Sequence, residues 1–558
     1  MRVSIETHEI TRAEQLGDKV VYQIYVKSYA DSNGDGIGDL RGIRDHLGYL
    51  ADLGVDVVWI TPFFVSPQND NGYDVADYRA IEPIYGTMED FEDLSAEAKR
   101  LGLTLMLDMV FNHTSTEHVW FKKALAGDPK YIAYYKFVDA AEGATADSPG
   151  KPPTNWESKF GGNAWEYVPT LNKWYLHLFD VSQADLNWDN PEVREELTDV
   201  LRFWRSKGVE AFRFDVVNLI SKPAVLEDDF EGDGRRFYSD GPHIHEYLKE
   251  MVAKGDIDGL VTVGEMSSTS LGACIGYTKP EDHELSMAFN FHHLKVDYAG
   301  GDKWALKEPD IAELRDLFKT WQEGMEEAGG WMALFWSNHD QPRPNSRFAD
   351  TESFWKESSE LLATCTHLMR GTPYIYQGEE LGQTISDFTD ISQYRDVESH
   401  NYFRILKERG LSAEEAFAVV HARSRDDGRT PMAWDESPNG GFTTGEPWLA
   451  LSGNYDTINA AAEIDDPTSV RSYYKRLIQI RKAEPVIQLG DVSFLDTASD
   501  KVIAYERTLG DTKVVVECNF SGEDQEALDT AGGEVLISNY AEPAQKLRPW
   551  EAVAHIWR

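Results

Sequence analysis

The sequence predicts an α/β protein built as a (β/α)8 barrel, with a subdomain inserted after the third strand and an antiparallel β domain at the C-terminus. Three observations carry this expectation. Strand-like and helix-like segments alternate from the start of the chain, the pattern of βα units on a parallel sheet. Three strand-like runs lead into a carboxylate: Phe212-Arg213-Phe214-Asp215, Val261-Thr262-Val263-Gly264-Glu265 and Phe335-Trp336-Ser337-Asn338-His339-Asp340. Parallel barrels gather their reactive groups at C-terminal strand ends, and a buried acid without a partner or a task is expensive there. Beyond about residue 485 the alternation gives way to short β-like runs.

Taken in order, Val20-Val21-Tyr22-Gln23-Ile24-Tyr25 reads as the first strand and residues 40–53 as an amphipathic helix. Val55-Asp56-Val57-Val58-Trp59-Ile60 is the second strand, 88–101 the second helix and 103–110 the third strand. Between residues 112 and 180 the rhythm breaks. That stretch is rich in aromatics, Gly, Pro and Asn, which reads as a subdomain on the loop face of the barrel. The rhythm resumes with a helix over 195–207 and strands over 209–215, 260–265 and 332–336. Val502-Ile503-Ala504-Tyr505, Lys513-Val514-Val515-Val516-Glu517 and Gly533-Glu534-Val535-Leu536-Ile537 supply the late β pattern. The expected limits are 1–112 and 182–487 for the barrel, 113–181 for the insertion and 488–558 for the last domain.

At 558 residues the chain exceeds one ordinary domain. Its net charge of -42 argues against general binding to nucleic acid or an anionic membrane. Cys274, Cys365 and Cys518 lie far apart without metal or disulfide spacing, as expected for a reducing interior. Residues 1–19 have no apolar core of a secretory leader, and no stretch approaches the ~18 apolar residues of a membrane helix. A soluble, cytoplasmic monomer acting on a small molecule is expected.

Three acids at strand ends suit glycosidic chemistry, with a nucleophile, a proton donor and a stabiliser. Salt-bridged structural acids are the alternative. A separate signal is Asp31-Ser32-Asn33-Gly34-Asp35-Gly36-Ile37-Gly38-Asp39, with oxygen side chains at alternate positions and Gly at the sixth, like the first part of an EF-hand loop. Asp31, Asn33, Asp35, Asp39 and the Ile37 carbonyl are candidate Ca²⁺ ligands that would brace a loop. Gly42 stands where the terminal bidentate Glu would be, and an Asx-rich turn without metal is the alternative.

Segments 54–62, 71–78, 108–115, 183–188, 210–218, 263–266, 338–343 and 425–434 resemble, in order, the motifs of the α-amylase family of glycoside hydrolases, within its oligo-1,6-glucosidase and trehalose-6-phosphate hydrolase group. The likeness runs from about Val20 into the C-terminal domain. It implies a TIM barrel with Asp215 as nucleophile, Glu265 as general acid/base and Asp340 as stabiliser of the charged transition state. Retention needs two carboxyls about 5–5.5 Å apart, one ionised to attack and one protonated to help the leaving group. Arg213 lies two residues before Asp215, on the same face, and is expected to keep it ionised. The resemblance also implies His113 and His339 as donors to the cleaved sugar. Tyr73 would stack under that glucose and Asp74 anchor it. Arg429 would grip it, with Arg423 and Arg425 as close competitors, and Asp108 would be a structural acid nearby.

Val216 after the nucleophile is similar to relatives that cleave α-1,6 or trehalose-type bonds. In Phe289-Asn290-Phe291-His292-His293-Leu294-Lys295-Val296-Asp297-Tyr298, two His and a Lys form a basic cluster after the Glu265 strand. This stretch resembles the phosphate-sugar hydrolases of the group, as do 153–162, 232–238 and 263–270. His292, His293 and Lys295, with Arg235 and Arg236 nearby, are candidate ligands for a phosphate. The implied reaction is hydrolysis of α,α-trehalose 6-phosphate to glucose and glucose 6-phosphate through a glucosyl-Asp215 intermediate, with no cofactor in catalysis. An oligo-1,6-glucosidase, a sucrose-type α-glucosidase or a transglucosylase would share the same intermediate. A non-catalytic scaffold is disfavoured because all three acids are present. Pro344-Asn345 departs from the small apolar residues of relatives and is a candidate for reshaping the leaving-group side.

Overall fold

The computed structural model describes residues 11–542 and 544–558, so the expected start of the barrel domain at residue 1 lies outside the described residues. Eight parallel strands lie side by side in chain order: β1 Val21–Ile24, β2 Val57–Ile60, β3 Thr104–Met109, β4 Ala211–Phe214, β5 Val261–Glu265, β6 Met287–Phe289, β7 Ala333–Leu334 and β8 Thr372–Tyr376. β8 pairs back onto β1, with Val21 opposite Tyr374, and an Ala288–Met332 bridge closes the gap between β6 and β7. Strands β1, β2, β4 and β8 are buried throughout, which is why they read as continuous apolar runs.

Local chemistry sets the helix limits. Asp39 accepts from the Gly42 amide to start Leu40–Leu53, and Gly54 ends that helix in the left-handed region. Thr87 and Asp90 form a reciprocal capping box for Met88–Arg100. The expected helix over 195–207 begins earlier, at Pro191, because Asn190 caps it and Pro191 suits its first turn. The strand expected over 332–336 shrinks to two residues, and β6 and β8 add strands that periodicity did not reveal.

The chain leaves the barrel after β3 and returns through an antiparallel pair, His113–Ser115 with Gln183–Asp185. Between them Phe137–Asp139, Trp165–Val168 and Lys173–Leu176 form a three-stranded antiparallel sheet. The buried Lys222 ammonium ties the junction, 2.7 Å from Asp185 and 2.6 Å from the Asn112 side-chain Oδ1. The C-terminal domain is a five-stranded antiparallel sheet in the order Asp491–Phe494, Val502–Leu509, Thr512–Asn519, Ala552–Trp557, Glu534–Ser538. It rests on helix Trp355–His367, where the Tyr505 hydroxyl donates to the Cys365 carbonyl at 2.8 Å.

Candidate active site

Asp215, Glu265 and Asp340 converge on one cavity of about 190 Å³ at the C-terminal ends of the barrel strands. Asp215 follows β4 directly and Glu265 ends β5, whereas Asp340 lies in the loop after β7, six residues past its end. Val216 turns the chain away from Asp215 with φ of 36°, a conformation costly for a β-branched residue. Its side chain lines the same cavity.

Arg213 is the common partner beneath the acids. One guanidinium nitrogen sits 2.6 Å from Asp108 and 2.7 Å from Asp215, and the other contacts Glu265. Arg213 was expected to keep Asp215 ionised; in the structure that one cation is shared by three acids. Burial pushes the Asp215 carboxyl well up, Arg213 opposes this, and the adjoining Glu265 and Asp108 add to the rise. Asp108 is also pushed up, to about 6, by burial against the pull of Arg213, and accepts from Tyr73 (2.8 Å) and Trp59 (3.1 Å).

Asp340 is treated oppositely. Burial alone would raise it, but His339, Arg425 and Arg429 hold it well below the usual carboxylate range. Their nitrogens stand 3.1, 3.2 and 2.9 Å from its carboxylate. Burial pushes His339 down to about 3, so the ring is neutral; Gln23 donates to its Nδ1 at 2.8 Å, which puts the ring hydrogen on Nε2, close to the Asp340 carboxylate but not hydrogen-bonded to it. Tyr73 stacks on His339 with centroids 5.0 Å apart and planes within 4°. His113, pushed down to about 4 by burial, lines the cavity beside Gln183.

Several expected residues stand elsewhere. Asp74 is turned away from the cavity: its carboxylate accepts from Ser66 Oγ (2.8 Å) and the amides of Asn69 (2.9 Å) and Asp70 (3.1 Å). The acid that faces the cavity is Asp70, 3.2 Å from Arg425. Arg429 is buried behind Asp340, donating to the His339 carbonyl at 2.7 Å, and Arg425 lines the wall instead. His293 donates to the Phe335 carbonyl oxygen at 2.8 Å inside the core, and His292 packs on Trp321. Neither histidine lines the cavities around the acids. Arg236 is drawn off by Asp229 and Glu231. Asn345 is buried and donates to the Gly382 carbonyl at 2.8 Å, a structural contact rather than a change to the leaving-group side.

A second cavity of about 550 Å³ opens past Glu265 and Asp340 and shares Lys159, Lys303 and Glu398 with the first. Lys295 and Arg235 line it. Lys303 is paired with Glu398 at 2.7 Å and Arg235 with Asp233 at 2.5 Å. The sequence reading missed Asp70, Lys159, Phe160, Phe179 and Gln183 as wall residues. For Asp70 the signal was an acid near Tyr73, which Asp74 on the other side offered equally.

In the metal-like loop, Asp31 accepts from the amides of Asn33, Gly34 and Gly36, Asn33 from that of Asp35, and Asp35 from that of Ile37. Asp39 accepts from Ser32 and caps the helix at Gly42. Among the described residues no three His, Cys, Asp or Glu side chains converge as a metal cage. The donors are all hard oxygens, whose remaining lone pairs suit a cation such as Ca²⁺.

Comparison with known proteins gives relatives along nearly the whole chain. The chain is 50% identical over 550 residues to the trehalose-6-phosphate hydrolase of Bacillus subtilis, covering 96% of this chain and 97% of that protein. It is 43% identical to the oligo-1,6-glucosidase of Parageobacillus thermoglucosidasius, covering 96% and 97%. The crystal structure of Bacillus licheniformis trehalose-6-phosphate hydrolase superposes with a TM-score of 0.90 at 47% identity, covering 97% of this chain and 99% of that one. Residues 23–490 match the alpha-amylase catalytic domain, and the chain belongs to the alpha-amylase family.

Proposed function

We propose that the protein is a retaining α-glucosidase that hydrolyses α,α-trehalose 6-phosphate to glucose and glucose 6-phosphate. Asp215 attacks the anomeric carbon while Glu265 gives its proton to the departing oxygen. Glu265 then takes a proton from water, which attacks the same carbon and frees Asp215. Asp340, kept ionised by His339, Arg425 and Arg429, stabilises the oxocarbenium-like transition state. Glucose sits over Tyr73, with His113, Asp70 and Arg425 around its hydroxyls. No cofactor takes part.

The observation that carries the phosphorylated substrate is Lys295. Its ammonium lines the outer cavity without a hydrogen bond or ion pair among the described residues, held below the usual lysine range by burial and by Arg235. A phosphate would supply the missing partner. The overall charge of -42 does not forbid this, because exposed charges beyond about 8–10 Å are largely screened at physiological salt.

The test compares kcat/KM on trehalose 6-phosphate, trehalose and isomaltose. The phosphorylated sugar should be preferred, Lys295→Ala should cut that preference by about tenfold or more, and Asp215→Ala should be inert on all three. Equal or faster turnover of isomaltose overturns the phosphate reading and leaves the glucosidase standing.

Loop 31–39 is read as a structural Ca²⁺ site on the strength of its alternating oxygen donors, with no catalytic step routed through it. The three cysteines are free thiols, in keeping with a reducing cytoplasm. Among the described residues no helix is long and apolar enough to cross a membrane.

A further inference from the structure

Lys295 is not the only unbalanced cation in the outer cavity. Lys159, from the inserted segment, lines both cavities, beside Asp215 and Glu265 in one and beside Arg235 and Lys295 in the other. Its ammonium makes no hydrogen bond or ion pair among the described residues; its contact is the face of the Tyr238 ring, 5.6 Å away. In a chain with 96 acidic residues, two lysines left unpaired in the lining of one cavity are not an accident of composition. A desolvated charge without a partner costs stability, and a ligand of opposite sign removes that cost.

Hydrogen bonds fix the backbone around Lys159. The Asn155 side chain donates to the Asp229 carbonyl and accepts from the Asp229 amide, both at 2.6 Å. Trp156 Nε1 donates to the Glu227 carbonyl at 2.9 Å, and the Glu157 amide to that of Asp233 at 3.0 Å. The Lys159 amide itself donates to the Leu178 carbonyl at 2.9 Å. The bonds to residues 227, 229 and 233 join the insertion to the loop after β4, which also carries Arg235. Burial first, then the neighbouring Arg235 and Lys295, push the Lys159 ammonium down to about 8 against the opposing pull of Asp233 and Glu265.

We propose that Lys159 is a specificity-determining residue of the leaving-group site, holding a sugar phosphate dianion together with Lys295 and Arg235. The inference rests on the phosphorylated-substrate reading and extends it: three separate elements, the insertion and the loops after β4 and β6, close on one anion. A sugar phosphate with a second pKa of about 6 is a dianion at neutral pH. Lys159 must be protonated to meet it, so affinity for the phosphorylated substrate should fall as the pH passes about 8.

The experiment measures kcat and KM for wild type, Lys159→Met and Lys159→Arg on trehalose 6-phosphate and on p-nitrophenyl α-glucoside, below and above about pH 8. In Lys159→Met the ratio of kcat/KM for the phosphorylated over the unphosphorylated substrate should fall about tenfold or more, through KM. Lys159→Arg should restore most of it. The rise in KM for the phosphorylated sugar at alkaline pH should be present in wild type and lost in Lys159→Met. A wild-type preference that survives Lys159→Met, or an equal loss on both substrates, overturns this inference alone. A wild type without preference for the phosphorylated sugar overturns the substrate reading and this inference with it.

Discussion

Asp70 and Arg425 carry a sharp local tension in the glucose pocket. Burial pushes the Asp70 carboxyl up to about 7, and Arg425 and then Arg429 pull against it. Arg425 meanwhile stands 2.5 Å from Asp396 and 3.2 Å from Asp340, so it joins three acids in one wall. Ionised, Asp70 can accept a charge-assisted hydrogen bond from a sugar hydroxyl, worth about 1.5–3 kcal/mol. Asp70→Asn should therefore lower kcat/KM by about tenfold to a hundredfold, equally for phosphorylated and unphosphorylated α-glucosides. In wild type kcat/KM should rise with pH through about 7 as Asp70 ionises, and the variant should lose that limb. A loss confined to the phosphorylated sugar would place Asp70 on the wrong side of the scissile bond. Tyr73 was legible in Asn69-Asp70-Asn71-Gly72-Tyr73-Asp74 because an aromatic platform suits a sugar face. Which flanking acid faces the pocket was not, since Gly72, at φ of 105°, reverses the chain between them.

The loop 31–39 shows the same issue for an element. Its glycines answer a close approach: a Cβ on Gly36 would meet the Glu446 carbonyl oxygen at 1.8 Å, and φ is 90° there. Asp31 accepts from the Thr443 hydroxyl, and the Trp448 amide donates to the Gly36 carbonyl, so the loop braces the 442–448 segment against Tyr25, whose ring in turn stacks on His339. With Ca²⁺ at a hundredfold excess over its Kd, binding should stabilise the fold by about 2.7 kcal/mol, seen as a Tm raised by a few degrees and reversed by chelator. Asp35→Ala should abolish the shift; an unmoved wild-type Tm would count against the site. Among the strands, β6 and β8 escaped sequence reading for physical reasons. Three residues are too few to show a period, and Thr372-Pro373 looks like a turn until β1 and β7 pair on either side of it.

Across the whole molecule, buried carboxyls couple stability to pH. Burial pushes Glu360 up to about 9 and Glu379 and Glu463 up to about 8. Glu360 lies on the helix that carries the C-terminal sheet, while Glu379 and Glu463 meet Tyr474 and the Arg471 amide beside helix Val470–Ala483. Their folded values exceed the ordinary 4.5, so the native state holds more protons than the unfolded chain in between. Stability from these groups is full below about pH 4.5, falls as the pH rises, and levels off above about 8 to 9. Glu360→Gln should gain Tm relative to wild type progressively across that window, measured by scanning calorimetry. A constant difference would mean that Glu360 is ionised in the fold.

By itself the sequence determined the alternation that makes a barrel, the three acids at its mouth, Arg213 beneath them and the likeness to one enzyme family. Those features are carried by residue type and by short periods along the chain, which survive without knowledge of what packs where. Only the tertiary structure decided between Asp70 and Asp74, between Arg425 and Arg429, and between the histidines and Lys295 as lining of the outer cavity. Each choice lies between like residues a few positions apart, one toward the cavity and one into a hydrogen-bonded shell. Turn dihedrals and barrel closure make that choice, and so bring Lys159 of the insertion and Lys295 of the loop after β6 to the same cavity wall.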